Sequence, residues 1–170
     1  MSRNEKISTF LKDCLADALI KKMKNKPFEK ITIDEIAETA GVGRATYFRH
    51  FSCKQEMLTY KIMRHWEINS EKRNLKERRK FDLSNALDFF EINLMQQEVL
   101  DLIYASNLQS TLLDAFYKIM VPRDADNTFE KYRELFYSYG LFGALDEWIR
   151  NGYKQSPQEM VELLTKITKI

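Results

Sequence analysis

The sequence predicts an all-helical protein of about nine helices, on three observations. Apolar residues recur at i, i+3, i+4 and i+7 spacing along most of the chain, the period of an amphipathic helix, and alternating β-branched runs are nowhere sustained. Only three prolines and five glycines interrupt 170 residues. Residues able to cap helices stand directly before several apolar-periodic stretches. The expected division is a front domain over 1–52, a connecting helix over 53–80 and a helical body over 81–170.

The first helix is expected from about Asn4 to Lys24. Ile7, Phe10, Leu11, Cys14, Leu15, Ala18 and Leu19 form one apolar stripe on a charged rod, and Pro27 blocks continuation. Thr32 followed by Glu35 is a capping-box signature that opens a short helix with Ile33, Ile36 and Ala37 on one face. Ala40-Gly41-Val42 then supplies a glycine able to take the positive φ of a sharp helix-to-helix turn. A second short helix follows from about Arg44 to His50, carrying Arg44, Thr46, Tyr47, Arg49 and His50 with little apolar content. Helix, glycine turn and polar-basic helix read as a helix-turn-helix whose second helix is free to enter a DNA major groove. The first helix is expected to pack across both short helices, which cannot bury their apolar sides alone.

A fourth helix begins at Ser52 or Cys53, where Ser52 with Gln55 competes as a cap with Cys53 and Glu56. It becomes highly charged in the run EKRNLKERRK, and a boundary is expected near Arg78–Asp82. Further helices are expected from about Ser84 to Leu94, Gln97 to Asn107 and Leu108 to Met120. Residues 121–127 (VPRDADN) form a loop by composition. A long helix from Thr128 to Arg150 ends at Asn151-Gly152, where a glycine is favoured. Ser156-Pro157-Gln158-Glu159 opens the last helix with capping serine, first-position proline and box-completing glutamate.

Charge distribution supports a DNA-facing front. Residues 1–64 hold 13 Lys/Arg against 8 Asp/Glu, and residues 65–170 hold 14 against 17. No apolar leader or membrane-length apolar run is present, and Cys14 and Cys53 form no CxxC pair, which fits a reduced cytoplasm. Metal or cofactor chemistry is not expected. With only His50 and His65, and no nucleophile–base constellation, enzymatic activity is not expected either.

These residues carry a family resemblance. Phe28, Ile31-Thr32-Ile33, Ile36-Ala37, Ala40-Gly41-Val42, Thr46, Phe51, Lys54 and Leu58 resemble, in type, order and spacing, the TetR family of bacterial transcription regulators. More loosely, Gly140-Leu141-Phe142-Gly143-Ala144, Trp148-Ile149, Asn151-Gly152 and Ser156-Pro157 look like the C-terminal domain of the subset that includes dihydroxyacetone-kinase regulators.

The resemblance implies a homodimer that binds a roughly palindromic double-stranded operator and releases it when a small-molecule effector enters the C-terminal domain. It makes Thr32, Arg44, Ala45, Thr46, Tyr47, Arg49, His50 and Lys54 the DNA-facing set. Within it, Arg44, Ala45 and Thr46 are candidates for base edges, and Tyr47, His50, Lys54 and the helix start at Thr32 for phosphates. Three positions depart from the pattern: Gly43 replaces a serine or threonine, Phe48 a phosphate-binding tyrosine, and Cys53 a capping residue. Either the tyrosine's contact has moved to Tyr47 or it is absent. Phe89, Tyr104, Phe116 and Tyr137 are candidate effector-lining aromatics. Gly140, Gly143, Ala144, Trp148, Met160 and Leu164, on the last two helices, are candidates for a four-helix dimer interface. A different reading keeps the same front domain as a scaffold for a ligand-binding coactivator or partner protein.

Overall fold

A computed structural model describes residues 2–75, 85–120 and 127–167. Among them the chain forms nine α-helices and one 3-10 turn, with no strand. The helices are α1 (Arg3–Met23), α2 (Ile33–Ala40), α3 (Arg44–His50), α4 (Lys54–Lys72) and α5 (Ala86–Leu94), then α6 (Gln97–Ala105), α7 (Ser110–Met120), α8 (Thr128–Arg150) and α9 (Pro157–Ile167). The 3-10 turn spans Phe28–Lys30. The boundary expected near Arg78–Asp82, the start at Ser84 and residues 121–126 of the expected loop lie outside the described residues.

Local chemistry accounts for the helix ends. Ser2 and Glu5 cap α1 reciprocally, one residue earlier than the periodicity suggested. The Thr32–Glu35 and Ser156–Glu159 boxes form as read: each glutamate accepts the cap residue's own N–H, at 2.9 and 2.7 Å. At the start of α4 neither expected pair forms a box. Glu56 instead accepts the backbone N–H of Ser52 at 2.7 Å, one residue further back than its own box position would give.

The chain divides into two compact units, residues 1–62 with 102–112, and residues 63–101 with 113–170. In the first, α1 packs against α2 and α3. Leu15, Leu19, Ile31, Ile36, Tyr47, Met57 and Leu58 fill its core. The Tyr60 hydroxyl donates to Asp13 at 2.7 Å, tying α4 to α1, and the Thr59 hydroxyl donates to the Thr111 carbonyl at 3.2 Å, tying α4 to α7. The α1 stripe is buried only in its C-terminal half: Ile7 and Phe10 are exposed.

The second unit is held by aromatic edges. Phe89 contacts Trp66, Phe90 and Phe116, and Phe116 contacts Phe142. Trp148 is packed between Phe90 and Tyr153, and its indole N–H donates to the Gln155 carbonyl at 2.8 Å. Arg73, just past α4, donates to Asp88 at 2.7 Å and also to Glu91 on α5.

Candidate nucleic-acid interface

The turn between α2 and α3 depends on Gly41. It sits at φ 69°, and Gly41 and Val42 donate back to Glu38 and Ala37, closing the C-terminus of α2. A side chain at Gly41 would meet no atom within 4 Å, so its requirement is backbone conformation and not space. Gly43 precedes α3 without a side-chain cap. Thr46 N–H closes the first turn on the Gly43 carbonyl at 2.8 Å.

Seven residues with no cap are too short to persist as a helix alone. Packing holds α3 in place: Tyr47 is 1% exposed and lies against Phe51, with ring centroids 6.3 Å apart. With Tyr47 inward, the outward face is Arg44, Ala45, Phe48 and Arg49, while Thr46 and His50 are half-buried at its flanks.

This geometry revises several expected contacts. Tyr47 is not available at the surface, and burial pushes its phenol up from the usual range, with Cys53 and Glu56 adding to the effect. The hydroxyl of the family pattern has therefore not moved to Tyr47. Lys54 directs its ammonium inward, donating to the carbonyls of Phe28 and Ile31 at 2.6 and 2.8 Å over the Phe28 ring. Thr32 is exposed, but its hydroxyl and N–H are both used within the capping box. The buried Nε2 of His50 has no hydrogen-bond partner among the described residues. Desolvation first, then the charges of Lys12 and Arg49, lowers its pKa from the usual imidazole range.

Two members of this surface lie outside the DNA-facing set expected from the sequence. Phe48, 56% exposed, stands one turn after Arg44, and the guanidinium lies 5.5 Å from its ring centroid. Asp34, on α2, accepts from Arg44 Nη1 at 3.1 and 3.0 Å. The i, i+4 spacing of Arg44 and Phe48 was a usable signal. The Asp34 partnership crosses the turn and was not.

The candidate effector aromatics do not form one group. Phe89 and Phe116 are buried edge to face in the second unit's core, whereas Tyr137 is exposed on α8 and Tyr104 belongs to the first unit. Beside Phe89, Asn93 donates to the Phe89 carbonyl at 2.9 Å, and Gln96 donates to Asn93 at 3.4 Å while its buried Oε1 has no partner among the described residues. A polar cavity of about 620 Å³ lies elsewhere, lined by residues of α1, of α2 and of the segment between them, with Lys21, Lys26, Glu35 and Glu38 among them.

The candidate interface residues also separate. Gly140 and Gly143 are exposed and Ala144 is half-buried. Trp148, Met160 and Leu164 are buried within the protomer, because Trp148 faces Phe90 and α9 packs its apolar side on α5. Among the described residues, the outward apolar side chains are instead Phe129, Tyr132, Phe136, Tyr137 and Tyr139 on α8, with Leu163 and Ile167 on α9.

Three helices with a glycine turn, and a third helix displaying arginines outward, define a helix-turn-helix DNA-binding protein. The family models agree. Residues 15–60 match that of the bacterial regulatory proteins of the tetR family, and residues 83–169 match a transcriptional regulator C-terminal region. The chain belongs to the TetR family of transcriptional regulators. Curated proteins give no match. Among the described residues no helix is long and apolar enough to cross a membrane, and no group of three or more His, Cys, Asp or Glu is placed to hold a metal ion.

Proposed function

We propose that the protein is a cytoplasmic, homodimeric repressor that binds a roughly palindromic operator through two α3 helices and leaves it when a small molecule occupies the C-terminal unit. The observation that carries the DNA-binding part is the outward face of α3. Arg44, Ala45, Phe48 and Arg49 are exposed together on a helix whose inward face Tyr47 fixes. Arginine at the N-terminal end of such a helix can pair bidentately with guanine, and Ala45 offers a methyl to thymine.

The dimer is supported by α8. Phe129, Tyr132, Phe136, Tyr139, Gly140 and Gly143 recur at helical spacing and are all exposed in the protomer. A Cβ at Gly140 or Gly143 would meet nothing within 4 Å, so the protomer itself gives no steric reason for glycine inside a helix. Close approach of a second copy supplies one. An effector would enter at Phe89 and Phe116, and two residues beyond α5 the buried Oε1 of Gln96 is an acceptor with no partner among the described residues.

The test is an anisotropy titration of wild type and Arg44→Ala against duplexes selected from random sequence. Loss of about 1–3 kcal/mol confined to one base position of each half-site is expected. An equal loss on every duplex would make Arg44 a phosphate contact, and no selected sequence at all would remove the DNA-binding reading.

A further inference from the structure

An acidic side chain on a DNA-facing surface repels phosphates, so Asp34 beside Arg44 calls for a reason. Stability gives a weak one. The two side chains are 66% and 60% exposed, and exposed ion pairs contribute little. An acid in the first turn of α2 also suits the helix dipole, but the dipole does not account for the partner across the turn.

The contact geometry is selective. Asp34 engages only Nη1 of Arg44, through both carboxylate oxygens, and the Phe48 ring lies by the guanidinium. Nε and Nη2 make no hydrogen bond among the described residues, and they present two parallel donors of the kind that guanine O6 and N7 accept.

We propose that Asp34 and Phe48 are positioning residues that preset Arg44 as a guanine reader and keep it from serving as a general phosphate contact. The proposal rests on the DNA-binding reading above. Asp34 neutralises the arginine towards backbone phosphates, so on non-cognate DNA the pair releases no counterion. On a cognate guanine the carboxylate keeps one end of the guanidinium while the other pairs with the base. Discrimination rises because the orientation is paid for before binding.

The experiment uses the full-length protein: selection from random duplexes, then salt-dependent titrations, for wild type, Arg44→Ala, Asp34→Ala and Phe48→Leu. Asp34→Ala is expected to lose about tenfold in preference at the same base pair that Arg44→Ala affects. It should also bind random-sequence duplex more tightly, with a log–log salt slope steeper by about two per dimer. Phe48→Leu should lower the preference without changing the salt slope. Unchanged preference in Asp34→Ala, or an equal loss on all duplexes, overturns the proposal, and unchanged preference in Phe48→Leu removes Phe48 from it. Failure of the wild type to enrich any sequence overturns the DNA-binding reading and this proposal with it. Selection by wild type with an unaltered Asp34→Ala profile overturns this proposal alone.

Discussion

Replacing Lys54 by methionine separates two roles that its position at the start of α4 allows. The substitution keeps the apolar stem beside Phe28 and removes only the ammonium, which donates to the carbonyls of Phe28 and Ile31. Phe28 O retains the N–H of Ile31 at 3.2 Å, so it stays satisfied, whereas Ile31 O loses the partner seen here. A hydrogen bond from a charged donor contributes roughly 1.5–3 kcal/mol. Two such bonds are lost, but relief of the ammonium's desolvation offsets part of that loss, since burial is the main cause lowering the Lys54 pKa. A net destabilisation of about 2 kcal/mol follows, or roughly 4–8 °C in thermal midpoint for a chain of this size. Thermal unfolding by circular dichroism measures it, and salt-dependent DNA titration of the same variant reads the other role. An unchanged midpoint with a salt slope reduced by about one ion per protomer would refute the reasoning and return Lys54 to the phosphate contacts.

Two further predictions address other parts of the chain. Gly140→Ala and Gly143→Ala should each favour the isolated helix by about 1 kcal/mol yet weaken the dimer, and Phe136→Glu should weaken it further; monomer–dimer ratios from analytical ultracentrifugation that do not shift would refute the α8 interface. Glu35 accepts from Lys26 and from Thr32, which holds its pKa down from 4.5 to about 2. Because the folded-state value is the lower one, the stability it contributes is full above pH 4.5 and is lost as pH falls towards 2. Carboxyl NMR should place the Glu35 midpoint there and find it raised in Lys26→Met; an identical midpoint in the variant would refute the assignment.

What the sequence made legible was local. The Thr32–Glu35 and Ser156–Glu159 boxes join residues three apart, so their partners can be named without knowing the fold. The Gly41 turn is equally local. The contacts that escaped are those whose partners are distant in sequence: Lys54 with Phe28 and Ile31, and Arg44 with Asp34. Orientation failed for a different reason. Over seven residues a helical period cannot say whether Tyr47 or Phe48 faces inward; the position of α1 decides it. On α8 and α9, small residues suggested a meeting face, but Trp148, Met160 and Leu164 are drawn inward by their own protomer's aromatic core and by α5.

The departures at Gly43, Phe48 and Cys53 share one physical consequence. None of the three is a buried anchor of α3: Gly43 supplies no side-chain cap, Phe48 is exposed with its ring edge-on to Tyr47, and Cys53 is exposed. The helix is positioned instead by Tyr47 and Phe51, which are buried and in ring contact, with Phe51 in turn edge to face on Tyr60 of α4. Anchoring and display are thus carried by different residues of the same short helix. A change at Arg44, Ala45 or Arg49 alters what the surface can touch while the buried Tyr47–Phe51 contact is left in place. A hydroxyl missing at Phe48 is therefore no sign of a decayed DNA-binding domain. In its place stands an apolar ring that bears on Arg44.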